Sequence, residues 1–366
     1  IGLKKVIEGL NRYRAEKGLD PITDENNPYI GEETVAGKIG FLAREFDENR
    51  KKPLADKIAK ADIPLEEVDE FLVLRHAIER NNLLSLRNPL LDVETSPGAG
   101  SLKTGERLTN SFVKNRMANR YGLLWNDATG TWSGGNARAD KLNSIARSLD
   151  TINKETMERS VEFGLIDRES ADSIMNQYKY YAPLRGKDIE DDIGHDIVIG
   201  ASYSTKGPEV LTALGRESAA ESPLGHTLVN AERAISRGIK NKNVSERLVK
   251  LIKDNPNPDY WQVFGPGDTN LVTQLERKYT YIGSDPELQG TKVSKIPEGA
   301  NKKDYIKQVV TRPDNLGPAL DKNMIGAKIN GEQFYIKLND DRLRRALKSV
   351  DATDAEGLLR KFGIRS

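Results

Sequence analysis

Apolar residues recur every three or four positions along most of residues 1–260, and that period confines the chain to amphipathic helices. Leu3, Val6, Ile7, Leu10 and Tyr13 share one face, with Gly18 placed as a stop. Val35, Ile39, Leu42 and Phe46 predict a second helix from about Glu32 to Asn49, which Pro53 is expected to end or kink. Pro64 fits the first turn of a third helix that carries Val68, Phe71, Leu72, Arg75 and His76 and stops near Asn81-Asn82.

The period weakens over residues 83–138. Ser96-Pro97-Gly98-Ala99-Gly100 reads as a turn-rich linker, and Thr104 with Glu106 as the start of a helix through Leu108, Phe112 and Met117. Trp125 to Asn136 reads as a loop. From Asn136 the pattern returns through Leu142, Ile145, Leu149, Ile152 and Met157 to Gly164, a good residue just past a helix end. Asp167 then caps a short helix with Ala171, Ile174 and Tyr178, which makes an αα-hairpin. Residues 186–221 read as an extended excursion, with a short strand at Ile197–Ile199. A long helix from about Leu224 to Asp254 is closed by Asn255-Pro256-Asn257-Pro258.

The C-terminal part changes period. Trp261-Gln262-Val263-Phe264 reads as a strand. Met324–Leu338 reads as a hairpin about Asn330-Gly331, with Phe334, Ile336 and Leu338 inward and Gln333, Tyr335 and Lys337 outward. Leu343, Leu347, Leu358, Leu359 and Phe362 predict a closing helix or pair. The fold class expected is mainly α: a multi-helix array with a small β-hairpin or sheet element near the C-terminus. Four regions are expected: helical 1–95, irregular 96–138, central helical 139–260 with the long basic helix, and α+β 261–366.

Composition removes several chemistries. The chain has no Cys, so thiol nucleophiles, disulfides and Cys-held zinc or iron–sulfur sites are excluded. Three His, at 76, 195 and 226, make a multi-His metal site a poor expectation. No apolar run reaches the ~18–20 residues that span a bilayer. The first residue is Ile1 rather than Met, so the chain is expected to be a fragment or processed product.

The remaining motifs carry little catalytic signal. Asp188, Glu190, Asp191, Asp192, His195 and Asp196 are oxygen-rich but lack the ligand spacing of a calcium loop, and read as a solvated acidic loop. No glycine pair forms a phosphate loop, and no G-x-S-x-G elbow is present. No catalytic residue, cofactor or metal site is therefore assigned. Arg75, His76, Glu79 and Arg80 fall within two helical turns, where an Arg75–Glu79 ion pair is expected and a polar network at a helix junction is the favoured role. Tyr180-Tyr181-Ala182-Pro183-Leu184-Arg185 reads as an aromatic exit from a helix, with Tyr180, Tyr181, Pro183 and Arg185 structural. The net charge is +1, yet between Val229 and Lys253 the basic residues outnumber the acidic by seven to two. Arg233, Arg237, Lys240, Lys242 and Arg247 are the candidates there for phosphate contact with DNA.

One resemblance joins these pieces. Leu65-Glu66-Glu67-Val68-Asp69-Glu70-Phe71-Leu72-Val73-Leu74-Arg75-His76-Ala77-Ile78-Glu79-Arg80-Asn81, Tyr180 to Gly186, Ala213-Leu214-Gly215-Arg216, Asn230 to Ile235 with Lys240-Asn241-Lys242, Asn255 to Pro258, and the hairpin with Asp341 to Leu347 follow in order. The series resembles a helical region of the large polyvalent proteins of bacteriophages and conjugative elements. The resemblance implies a non-enzymatic structural or interaction module of an internal, ejected virion protein or a DNA-transfer protein. It implies other virion or ejection subunits as partners, with DNA considered beside them, and a path from virion interior to host cytoplasm. Such proteins continue past this C-terminus into further helical segments. The alternatives are an enzyme module (a hydrolase or nucleotide-dependent transferase) that joins His76 or His195 to the acidic loop, and a DNA-binding accessory domain.

Overall fold

The computed structural model describes residues 2–87, 92–95, 97–184, 220–266, 268, 275–281, 292–293, 305–311, 324–340 and 343. The described chain is mostly helical with small antiparallel sheets. Helix α1 spans Gly2–Glu16, α2 Pro28–Phe46, α3 Lys52–Ala61, α4 Leu65–Arg87 and α5 Asn110–Tyr121. A hairpin of β1 (Leu123–Asn126) and β2 (Thr131–Gly134) precedes α6 (Ala137–Glu162) and α7 (Arg168–Gln177). Then come α8 (Pro223–Lys240), α9 (Glu246–Asp254), and the strands β3 (Trp261–Phe264), β4 (Leu275–Tyr281), β5 (Lys292–Val293), β6 (Tyr305–Thr311), β7 (Met324–Ile329) and β8 (Glu332–Leu338).

The caps follow the chemistry of helix ends. Asn27, Asn136, Asp167 and Ser222 each accept a backbone N–H from the first turn of α2, α6, α7 and α8. The side chain of Asp69, on α4, accepts from Leu224 N at 3.1 Å and from Ser222 Oγ at 3.0 Å, so α4 holds the start of α8. Burial raises the Asp69 pKa above the usual carboxylate value, against these two hydrogen bonds.

Two apolar cores result. The larger joins α2 to α6 and α8 through Phe71, Leu74, Ile78, Met117, Leu142, Ile145 and Ile235. The second joins Leu3 and Ile7 of α1 to Leu248 and Ile252 of α9 and to Trp261, Ala327, Phe334, Ile336 and Leu338. Its sheet has the order β3-β8-β7, and a separate sheet has the order β5-β4-β6.

Several expectations are corrected. Pro53 does not end its helix: a π turn over Asp47–Lys51 carries the chain from α2 into α3, so the missing N–H of proline falls where the hydrogen-bond ladder already shifts. The helix carrying His76 continues beyond Asn82 to Arg87. Thr104 starts no helix; its hydroxyl meets Glu106 within a turn, and Thr109 caps α5 by accepting from Phe112 N. The stretch Trp125–Asn136 holds a hairpin rather than a loop, with Trp125 paired to Trp132. Tyr335 is buried, so the outer face of β8 is not wholly wet. The strand expected at Ile197–Ile199, the acidic cluster with His195, Arg185, Ala213 to Arg216 and all of the closing helix but Leu343 lie outside the described residues.

Candidate functional site

Helix α4 is enclosed on every side over residues 71–78, so whatever polar residues it carries there must be satisfied from within. Arg75 and His76 are both buried. The Arg75 guanidinium forks onto Asp150 of α6 at 2.5 and 3.1 Å and lies over the Tyr180 ring, 5.3 Å from its centroid. The expected Arg75–Glu79 pair is thereby replaced: buried Arg75 gains a bidentate partner across the helix packing, and Glu79 is left for other work. Its carboxylate accepts Lys179 N at 2.9 Å and Tyr180 N at 3.0 Å. These N–H groups need it, because the chain leaves α7 in an extended conformation at Tyr178.

His76 sits edge-on between Tyr178 and Tyr181, with ring centroids at 4.7 and 5.9 Å. Its Nδ1 is 3.7 Å from Glu79 Oε2, too far for a hydrogen bond. Burial pushes the imidazole below its usual pKa, and the neighbouring Glu79 carboxylate only partly opposes this. Arg80 donates from Nε to Gly98 O at 3.3 Å, and burial lowers its pKa as well. On the other side, Trp132 donates its backbone N–H to Tyr180 Oη and its indole N–H to Arg75 O, each at 3.1 Å. Pro183 is buried just past the cluster.

Two motifs a hundred residues apart are thus one knot that ties α4, α6, the β1–β2 hairpin and the exit of α7. The imidazole is enclosed, and the arginine is held in a fork by its two terminal nitrogens while its buried Nε stays unpaired. The arrangement fixes helix positions. Asn81, which the sequence reading left unassigned, extends it: its side chain accepts Ala99 N at 2.8 Å and donates to Leu108 O at 2.8 Å, which shapes the irregular stretch before α5.

A second junction gathers two chain reversals and a π turn. Asn241 lies in a π turn, Asn241–Ser245, that joins α8 to α9. Fully buried, it donates to Phe163 O at 2.9 Å and to Lys328 O at 2.7 Å, and accepts Lys328 N at 2.8 Å. Beside it Gly331 N of the β7–β8 turn donates to Gly164 O at 3.0 Å. An asparagine between two lysines gave the sequence reading no signal for this bracket.

The basic residues singled out on α8 and α9 have partners within the fold. Arg247 donates to Asp24 O at 3.0 Å and Asn27 O at 3.3 Å, and Lys242 pairs with Glu246. Arg233, Arg237 and Lys240 are each half-buried and already engaged. An open cleft of about 490 Å³ lies between the first π turn and α6. Its lining is acidic, with Glu45, Glu48, Glu155, Glu158 and Glu162 against Arg50 and Arg159, of which Arg50 pairs with Glu155 and Arg159 with Glu45. Among the described residues no group of three or more His, Asp or Glu side chains is placed to hold a metal, and no helix is long and apolar enough to cross a membrane. Comparison with known protein families, with curated proteins and with solved structures found no match to this chain.

Proposed function

We propose that this chain is a non-enzymatic structural and interaction module of a phage internal, ejected virion protein or of a DNA-transfer protein, carried into the bacterial cell with the genome. The observation that carries the reading is the use of the motif residues. Buried Arg75 and His76 are joined to half-buried Glu79, Tyr178 and Tyr180 in a knot that positions helices. The ordered resemblance to polyvalent proteins supplies the setting: virion interior first, host cytoplasm afterwards, other virion or ejection subunits as partners.

The module acts by presenting a stiff helical array to its neighbours. Contact with DNA is the lesser reading, because Arg247 and Lys242 are occupied within the fold. Quantitative mass spectrometry of purified, DNA-filled particles tests the proposal. Peptides from this chain should be present at a constant copy number per particle and should leave with the DNA on ejection. Particles without them overturn it.

A further inference from the structure

The outward face of α2 is largely exposed, and on it the Glu33 carboxylate accepts the Tyr29 hydroxyl of the same helix. Its inner face, Pro28, Gly31, Val35, Ile39, Leu42 and Phe46, packs on the larger core and on the π turn after α8. Opposite lies the stripe Glu33, Gly37, Gly40, Arg44, at the spacing of one helical seam, with Phe41 beside it. Phe41 is 69% exposed, the most exposed aromatic among the described residues.

Two glycines in mid-helix weaken it, so a close approach is the usual reason for them. Gly31 has one: a Cβ there would meet Asn243 O at 1.8 Å. Gly238 has one as well, against the Phe163 ring at 2.1 Å. A Cβ on Gly37 or Gly40 would meet nothing within 4 Å. Nothing among the described residues approaches these two, which leaves them open to a partner.

The charges say what it is. Glu33 and Arg44 stand equally far from the point between Lys38 and Ile39, as do Gly37 and Gly40. Read backwards, the stripe presents Arg, Gly, Gly, Glu. An antiparallel second copy therefore sets Arg44 opposite Glu33 twice and bare backbone opposite bare backbone. No other partner is specified by the stripe itself.

We propose that α2 is a self-association surface, which docks antiparallel on α2 of a second copy about a twofold axis between Lys38 and Ile39. Gly37 and Gly40 bring the two backbones together there, and Phe41 covers the Gly37 backbone of the second copy. Such a pairing is isologous and closed, so it stops at the dimer. A single helix pair buries less than the ~1,200 Å² of a stable complex, so the association is micromolar and needs crowding. The inference does not rest on delivery with DNA; a monomer would leave that reading standing.

Sedimentation equilibrium of the whole chain over roughly 1–300 µM reads the association directly. The expected result is a monomer–dimer equilibrium. Glu33→Arg or Arg44→Glu alone should weaken it about tenfold, since each places like charges together twice. The double variant E33R/R44E should return to within about threefold, because the exchanged pairs face one another again. Only pairing with itself can show that rescue. Gly37→Gln with Gly40→Gln should abolish the dimer without lowering Tm, since both positions are open in the monomer and glutamine is the better helix former. A chain that stays monomeric across the range, a dimer unmoved by the charge changes, or an E33R/R44E double that fails to recover would overturn the proposal.

Discussion

His76 shows what a single buried residue decides. In an unfolded chain an imidazole titrates near 6.5, whereas in the fold burial between Tyr178 and Tyr181 holds it lower. Between the two values the unfolded state binds more protons, so the free energy of unfolding rises with pH in that window and levels off above it. Stability should therefore fall as pH drops below about 6.5, by at most ~1.4 kcal/mol per unit from this one group. His76→Phe keeps a ring in the aromatic box and removes the titration. Urea unfolding of both proteins at pH 7.5 and 5.5 checks it, and the difference between them cancels every other titrating group, Asp69 included. A slope equal in both proteins would show that His76 takes no part. The acids held low by arginines, such as Glu67 against Arg138 and Glu155 against Arg50, lose their contribution only below ordinary carboxylate values, outside this interval.

Among the elements, the β7–β8 turn ties the small sheet to the helices. Asn330 and Gly331 have φ of 50° and 81°, the left-handed pair of a type I′ turn. A Cβ on Gly331 would also meet Asp167 N at 2.6 Å, where the turn touches the start of α7. Gly331→Ala should thus cost more than turn strain alone, about 2 kcal/mol or more in chemical unfolding. Gly130→Ala, in the β1–β2 turn with φ of 61° and only Trp125 within reach of a Cβ, at 4.0 Å, should cost less. Equal losses would mean that the contact with Asp167 carries nothing. This turn was legible in the sequence because Asn-Gly states its own geometry. So were Asp167 and Gly164, whose roles depend on neighbours within four residues. The β1–β2 hairpin was not, because Leu123, Leu124 and Trp125 break the alternation and the pairing of Trp125 with Trp132 is stabilised by Tyr180 and Arg75 from elsewhere. The π turns were hidden as well: Pro53 signals an end or a kink, and nothing local shows that a π turn carries α2 into α3. Arg75 and Tyr180 were both singled out by composition, but their contact spans a hundred residues and no local pattern encodes it.

At the scale of the molecule, the first helix and the last described strands close one core. Leu3 and Ile7 pack with Leu248, Ile252, Trp261, Phe334 and Ile336, while the larger core lies under α4 and α6. The rod made by α8, its π turn and α9 runs through both, and Asn241 bonds to one on each side: Phe163 at the end of α6 and Lys328 in β7. Two cores on one rod can open separately, because among the described residues α1 and α9 supply the helical cover of the smaller one's sheet. Ile7→Ala removes buried volume from the smaller core and should cost about 2–4 kcal/mol there. Hydrogen exchange read by peptide should then show the amides of β3, β7 and β8 exchanging about 30- to 1,000-fold faster. Those of α4 and α6 should keep their rates, since Phe71, Leu74, Ile145 and Leu149 lose no neighbour. Equal acceleration in α4 would mean that the rod transmits the loss and the molecule opens as a single unit. An unchanged sheet would mean that α1 only rests on it. The outcome bears on the proposed role: a module that must leave a particle and re-form in a cell has most to gain from a sheet and first helix that release while the larger core stays folded.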